Sequence, residues 1–202
     1  MKITLVAIFI FCSFCQAFTQ VKPKIEHEKS VEKGDFPKKC IDLLKPILKE
    51  SKSDKYYKEF DGENYFYELK TTYNSKQFSI KFTESGHLVD IECMYDFEQL
   101  TESLKEEMGQ FLKEQYKKHK IERFQLQYNP EIDDDGEEED DKDFLEDFLE
   151  MDLDGLILHY EMEVEVLTYD GESKLMELLF DDQGSLIQQR EVQRRDEDFI
   201  LY

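Results

Sequence analysis

One short motif occurs in both halves of this chain. The pattern Phe-x-acid-x-Gly-x-Leu begins at Phe82 and again at Phe180. Each copy follows a stretch in which apolar and polar residues alternate, which is typical of a strand with one buried face. The glycine of each copy, Gly86 or Gly184, supplies the positive φ that a tight turn requires. The repeat therefore predicts two hairpins of the same design, one in each half.

Two segments carry apolar residues at helical spacing. Residues 40–48 form an apolar stripe, and Pro46 within it predicts a kink or two short helices. Residues 100–116 form a longer stripe with Thr101 as a suitable N-cap. Since a lone hairpin is marginally stable in water, we expect each helix to cover one sheet. The sequence thus predicts an α+β fold of two tandem helix-plus-antiparallel-sheet units.

Composition divides the chain further. Residues 18–34 are polar and are predicted to form a flexible leader. Residues 35–95 make up the first unit and residues 96–202 the second. Within the second unit lies an acidic insertion, residues 131–154, which is expected to be disordered or an exposed loop because like charges repel. Apolar residues near its end, at 144–151, predict one short amphipathic helix.

The first residues have the pattern of a secretory signal peptide. Lys2 precedes an apolar run over residues 3–15, and Ala17 offers a small residue for cleavage. The run is too short to span a bilayer, which needs about 20 apolar residues. We therefore predict a signal peptide over residues 1–17, a mature protein in the periplasm or outside the cell, and no stable membrane insertion.

The charge balance limits the possible partners. The chain has 48 acidic and 26 basic residues and a formal net charge of −22. A field of this sign repels nucleic acid and anionic lipid, so a nucleic-acid partner is not expected. Serine nucleophile motifs, glycine-rich phosphate loops and dinucleotide fingerprints are absent from the sequence. We therefore predict a protein that is not an enzyme.

Two cysteines, Cys40 and Cys93, lie beyond the predicted signal peptide. In an oxidising compartment they could form one disulfide, which the chain-entropy model values at roughly 4 kcal/mol. The alternative is two separate buried thiols that behave as small apolar side chains. Both alternatives stay open, because the sequence does not show whether the two positions lie close together.

The acidic insertion suggests a cation site. Residues 131–136 resemble the start of an EF-hand loop, with acidic residues at alternate positions and a glycine at the sixth. The twelfth position, which requires a glutamate, is Lys142, so a true EF-hand is not expected. Weak calcium binding by clustered carboxylates is an alternative to a solvated loop. The candidate ligands are Asp133, Asp135, Glu137 and Glu139, and no other cofactor is predicted.

A dense aromatic stretch suggests a protein-binding surface. Tyr65 and Tyr67 alternate with Phe66 along one predicted strand, so Phe66 points to the opposite face. Exposed aromatic side chains are typical of protein interfaces, whereas core packing is their commoner fate. The hypothesis from these residues is a protein that binds another protein or a peptide through a sheet face or edge.

Several of these segments resemble the PepSY-like proteins, which are also described as beta-lactamase-inhibitor-like. Residues 178–186 carry the strongest part, residues 78–89 carry another, and the resemblance extends over residues 36–129 and 156–192. It implies secreted or periplasmic proteins with tandem α+β units, mostly without an assigned activity, and it motivates an inhibitor-like role. The acidic insertion departs from the spacing of the family. No catalytic residue can be carried over.

Overall fold

The computed structural model describes residues 23–132, 136 and 138–194, so the predicted signal peptide lies outside the described residues. Strands dominate this part of the chain, and four helices accompany them. The strands are β1 (Lys24–Val31), β2 (Lys52–Phe60), β3 (Tyr65–Tyr73), β4 (Lys76–Thr83), β5 (Leu88–Met94), β6 (Lys118–Asn129), β7 (Ile157–Leu167), β8 (Ser173–Phe180) and β9 (Leu186–Arg194). The helices are α1 (Lys38–Leu43), α2 (Lys45–Leu48), α3 (Glu102–Gln115) and α4 (Asp141–Glu150). None of these helices is both long and apolar enough to cross a membrane.

The strands follow one another in chain order in a single closed sheet. Every consecutive pair from β1–β2 to β8–β9 is antiparallel, and β1 closes the sheet by pairing in parallel with β9. The predicted antiparallel sheet with covering helices is therefore present. Because β5 pairs with β6, hydrogen bonds cross the predicted boundary at residues 95/96 and both halves share one sheet.

The outer face of the sheet is apolar and carries two clusters. The first contains Leu44, at the junction of α1 and α2, together with Phe82 of β4. The second contains Met108 of α3 together with Phe180 of β8. As expected, α1 and α2 cover the first half of the sheet and α3 covers the second, and α4 covers the first half as well. The break predicted at Pro46 is also confirmed, since α1 ends before it and α2 contains it.

Both motif glycines occupy turns that press against a covering helix. Gly86 has φ +82° and Gly184 has φ +86°. A Cβ atom added at Gly86 would lie 3.2 Å from Sγ of Cys40, and one added at Gly184 would lie 3.3 Å from Cδ2 of Leu104. The glycines are therefore required both for the turn conformation and for close helix packing.

Gly184→Ala is expected to destabilise the protein more than the same change at Gly171. Gly171 also has positive φ, +96°, but no atom lies within 4 Å of its Cβ position. The left-handed backbone should cost about 1–2 kcal/mol at either site. Contact with Leu104 should add about 1 kcal/mol or more at Gly184. Urea unfolding of both variants measures the difference, and equal losses would show that the turn does not depend on helix packing.

The N-terminal segment differs from its prediction. Residues 24–31 form β1, so the flexible leader predicted over residues 18–34 is wrong for this part. The segment lacks apolar alternation and is held as a strand by pairing with β2 on one side and β9 on the other. Strand β2 was not predicted either, since charged residues occupy both of its faces.

The short amphipathic helix expected in the acidic insertion is confirmed as α4. The helix belongs to the predicted second unit. Its Phe144 and Leu145 are nevertheless buried in the first cluster, most of whose buried residues come from the predicted first unit. Asp141 fixes the start of the helix, because it accepts a hydrogen bond from the Leu88 amide at 3.0 Å and pairs with Lys39 Nζ at 2.7 Å. The helix begins at Asp141, so the disordered or exposed loop expected ahead of it is wrong for residues 141–143.

Candidate binding face

The inner face of the closed sheet is lined with charged and polar side chains. They alternate along the strands with the apolar residues of the outer clusters. Buried members of this inner face include Lys24, Glu59, Glu68, Asp90, Glu92, Gln125, Glu161, Glu163 and Glu177. Buried charge is costly unless it is paired, so the pairing within this face governs both its stability and its chemistry.

A cavity of about 490 Å³ lies on the inner face. Its lining combines both signs of charge with a few apolar groups and includes Tyr57, Lys70, Lys81, Met94 and Arg123. The volume falls within the range of about 300–1,000 Å³ that ligand pockets occupy. The inner face is therefore able to accept groups from outside.

Lys81 is the central cation of the inner face. Its Nζ lies 3.3 Å from Oε2 of Glu59, and its cross-strand neighbours are Glu68 of β3 and Asp90 of β5. Burial alone would lower the pKa of Lys81, but the surrounding carboxylates, Asp90 and Glu59 foremost, raise it well above the ordinary value. Lys81 thus stays charged and holds these carboxylates together.

One carboxyl group on β5 and one on β7 bind protons more tightly than usual. Burial raises the pKa of Asp90 to about 7, and its Oδ1 has no hydrogen-bond partner among the described residues. Burial, together with the charges of Glu92 and Glu177, raises the pKa of Glu161 well above its ordinary range. The inner face therefore changes its charge near neutral pH.

Asp90→Asn is expected to stabilise the protein more strongly at pH 8 than at pH 5. The folded protein holds a proton on Asp90 that the unfolded chain releases near pH 4, so this group lowers stability progressively as pH rises from about 4 to about 7. Asparagine is neutral throughout and removes that cost, while its loss of attraction to Lys81 reduces the gain. Urea unfolding should show a gain of roughly 1–3 kcal/mol at pH 8. An equal effect at both pH values would contradict this account, and the exposed Asp182→Asn is the control.

Strand β1 is fixed to the inner face by a buried ion pair. Nζ of Lys24 lies 2.7 Å from Oε2 of Glu177, and the two side chains are only 6% and 5% exposed. Arg190 binds the other oxygen of Glu177. Burial alone would raise the pKa of Glu177, but Lys24 and Arg190 lower it. Glu177 is thus a buried carboxylate that pairs with one cation from β1 and one from β9.

A second tie joins β1 to the opposite wall. Lys70 contacts the carboxylate of Glu28 on β1 and lies 3.2 Å from Oε2 of Glu68. Burial raises the pKa of Glu28 to about 7 despite this contact. Burial of Glu68 acts in the same direction, but Lys70 and Lys81 lower the pKa of Glu68 to about 2. Lys70 therefore pairs with two carboxylates, and it stabilises the charge of Glu28 less than that of Glu68.

The described side chains of β1 make little apolar contact. Of its described side chains, His27, Lys29 and Ser30 are exposed, while Val31 is half-buried against the first cluster. The strand's described contacts are mainly backbone hydrogen bonds and two inner ion pairs. It covers the edges of β2 and β9, which would otherwise present unpaired backbone groups. We call these two edges, together with Glu177 and Lys70, the β1 seam.

The aromatic residues predicted to bind a partner do not form one surface. Tyr65 is 48% exposed, whereas Tyr67 packs on Phe36 at 5.3 Å between ring centroids and joins the first cluster. Phe66 points to the inner side, where Nζ of Lys81 lies 5.9 Å from its ring centre. The structure therefore distributes the three side chains over two faces, and their binding role stays a prediction.

The predicted calcium ligands fall mainly outside the described residues. Asp133, Asp135 and Glu137 are among the residues left undescribed, and Glu139 is half-buried with its amide bonded to the Glu131 carbonyl at 2.9 Å. Within the described part of the chain, no group of three or more potential ligands is arranged to hold a metal. Calcium binding stays a prediction.

Cys40 and Cys93 are both buried free thiols, so the disulfide is not formed in this structure. Cys40 lies against the turn at Gly86, while Cys93 pairs with Phe78 near the other end of β4 and β5. The five residue steps from Leu88 to Cys93 span roughly 16 Å of strand, far beyond disulfide range. Burial raises the pKa of Cys40 to about 11, which keeps its thiol protonated.

Sequence reasoning missed the inner face. The signal was present, because charges of both signs occur at the polar positions of successive strands, as in Glu68 and Lys70 of β3 and Lys81 of β4. In an open sheet these positions face water, and the alternating pattern by itself predicts that arrangement. Only the pairing of β1 with β9 turns them inward.

Comparisons with known proteins find only low sequence identity and limited structural similarity. No family model and no curated protein matches the chain. A DUF2874 family protein from Bacteroides ovatus is 13% identical, with 77% of this chain and 86% of that chain covered and a TM-score of 0.49. A BLIP-like protein from Bacteroides fragilis is 13% identical, with 81% and 93% covered and a TM-score of 0.47. The resemblance to PepSY-like proteins stays a prediction.

Proposed function

We propose that the protein binds another protein or a peptide through the inner face of its sheet and the β1 seam. Support comes from β1 itself, an extended polar segment that lies in the seam with a buried ion pair between Lys24 and Glu177. A site that holds one extended segment by backbone pairing is suited to hold another, as in strand addition to a sheet edge. Inhibition of a secreted enzyme, in the periplasm or outside the cell, is the sharper form of the proposal.

The charges on the inner face favour specificity for a basic partner. Glu161, Glu163 and Glu177 lie on neighbouring strands close to the seam, and the whole chain has a net charge of −22. The overall charge attracts a basic partner over distance, while fixed buried charges select the correct binding register. A partner that enters the seam must displace β1, whose described side chains make few apolar contacts.

A reversible disulfide between β1 and β2, called the lock, tests the proposal. Lys29 of β1 and Lys58 of β2 are directly opposite in register. Cα atoms of opposite residues in antiparallel strands lie about 4.5–5.5 Å apart, which suits a disulfide. A Lys29→Cys/Lys58→Cys variant therefore fixes β1 in place when oxidised and releases it when reduced. The Lys29→Ser/Lys58→Ser variant controls for loss of the two lysines.

The readout is saturable partner capture from periplasmic extract on the immobilised protein. The reduced lock and the serine variant should capture as the wild type does, whereas the oxidised lock should retain less than about a tenth, a loss of at least 1.4 kcal/mol. Equal capture by the oxidised and reduced forms would reject displacement of β1. Absence of any saturable partner would reject the proposal as a whole.

A second candidate function is a response to cations by residues 131–154. Burial, and then the nearby carboxylates of Asp147 and Glu131, raise the pKa of Glu139. A cation would relieve this repulsion, and extracellular calcium sites need only millimolar affinity. Calorimetry should detect heat on titration with millimolar calcium, reduced in Glu139→Gln. No heat from the wild type would exclude this function.

A further inference from the structure

We infer that the partner segment that enters the β1 seam is extended and carries a lysine followed four residues later by a carboxylate. The inference rests on the proposed function and names the chemistry of its partner. It follows from what β1 presents to the seam, namely Lys24 to Glu177 and Glu28 to Lys70. Positions four residues apart lie on the same face of a strand, so one extended segment reaches both groups.

The direction of the segment is fixed by its neighbours. β1 runs parallel to β9, where Lys24 lies opposite Val192, and antiparallel to β2, where Val31 lies opposite Tyr56. The parallel ladder occupies only the first part of β1, and the antiparallel ladder occupies the remainder. A segment in the reverse direction would lose this pairing on both edges, so the order of lysine before carboxylate is part of the recognition.

The lysine is the stronger of the two requirements. Glu177 is buried, and its cross-strand neighbour Glu163 is also a buried carboxylate. The charge of Glu177 already contributes to the raised pKa of Glu161. A segment without a cation at the Lys24 position would leave Glu177 with Arg190 as its one cationic partner among the described residues, in a region of several carboxylates. Leaving a buried charge incompletely paired weakens binding strongly.

The carboxylate is the weaker requirement. When Glu28 leaves, Lys70 keeps Glu68 as an ion-pair partner, so the charge of Lys70 stays paired. Burial also raises the pKa of Glu28 to about 7. A neutral group at this position should therefore reduce affinity less than loss of the lysine does.

A synthetic peptide of residues 23–32 serves as the probe. The full-length chain with Lys24→Met is the receptor, because loss of its own ion pair weakens competition from β1. Fluorescence anisotropy compares the native peptide with one that has norleucine at the lysine and one that has glutamine at the carboxylate. The native peptide should bind at least about tenfold more tightly than the norleucine peptide, and the glutamine peptide should lie between them.

Two controls make the outcome decisive. In a receptor that also carries Glu177→Gln, the preference for lysine should disappear, and its persistence would overturn the assigned contact. If Lys24→Met does not fold, Glu28→Gln replaces it as the receptor, since it loosens only the weaker tie. Equal affinity for all peptides, or no binding of any, would overturn the inference. If the oxidised Lys29→Cys/Lys58→Cys variant then still captured less partner than the reduced form, the proposed function would stand without the inference. If the two forms captured equally, both would be rejected.

Discussion

Replacing Lys81 with methionine is expected to lower the free energy of unfolding at pH 8 by about 3–5 kcal/mol. Methionine keeps most of the apolar stem but removes the charge at the centre of the inner face. Glu59, 3.3 Å from Nζ, and the cross-strand neighbour Asp90 would then be buried without their common cation. The repulsion among the remaining carboxylates should open the sheet.

The loss should be smaller at pH 5. The pKa of Lys81 is raised, so its stabilisation is complete below its ordinary value of 10.5 and does not change between pH 5 and 8. Asp90, with a pKa raised to about 7, is neutral at pH 5 and no longer needs the cation. Urea unfolding at both pH values tests this. The control is Lys142→Met, which removes an exposed pair with Glu146 and should cost less than about 1 kcal/mol. Equal losses for the two variants at pH 8 would contradict the central role of Lys81.

Truncation of Phe144 to alanine is expected to lower the free energy of unfolding by a similar amount, about 3–5 kcal/mol. Phe144 is fully buried in the first cluster although it belongs to the acidic insertion. Its removal would leave a cavity between α4 and the sheet that the surrounding side chains fill only in part. The matched control on the same segment is Met151→Ala, because Met151 is 66% exposed.

Thermal or urea unfolding of these two variants shows whether α4 is part of the core. Met151→Ala should change the free energy of unfolding by less than about 0.5 kcal/mol. A loss of less than about 1 kcal/mol for Phe144→Ala would mean that α4 is only loosely attached and that the acidic insertion is independent of the fold.

Local periodicity was enough to predict several features of the outer face of the sheet and of the helices that cover it. The turns at Gly86 and Gly184, the break at Pro46 and the apolar face of α4 all depend on residues close in sequence, where spacing decides the conformation. The aromatic stretch was harder, because alternation places Tyr65 and Tyr67 on one face but does not show that Phe36 covers only the second of them.

Strand β1 and the inner face depend on long-range contacts that periodicity does not report. The buried partner of Lys24 is Glu177, 153 residues away along the chain. Alternation of charged and apolar residues is the same whether the polar side meets water or a closed interior. Closure requires the two ends of the described chain to meet, and no local pattern specifies that meeting.

Backbone hydrogen exchange of β1 tests the central claim most directly, since the proposed binding mode requires this strand to leave the sheet without global unfolding. At neutral pH the amides of β1 should exchange at least about 100-fold faster than the paired amides of β7, an opening cheaper by roughly 2.7 kcal/mol. The oxidised Lys29→Cys/Lys58→Cys variant should slow exchange in β1 and leave β7 unchanged. Exchange of β1 at the same rate as β7, in a single global step, would contradict the claim that β1 is a displaceable strand.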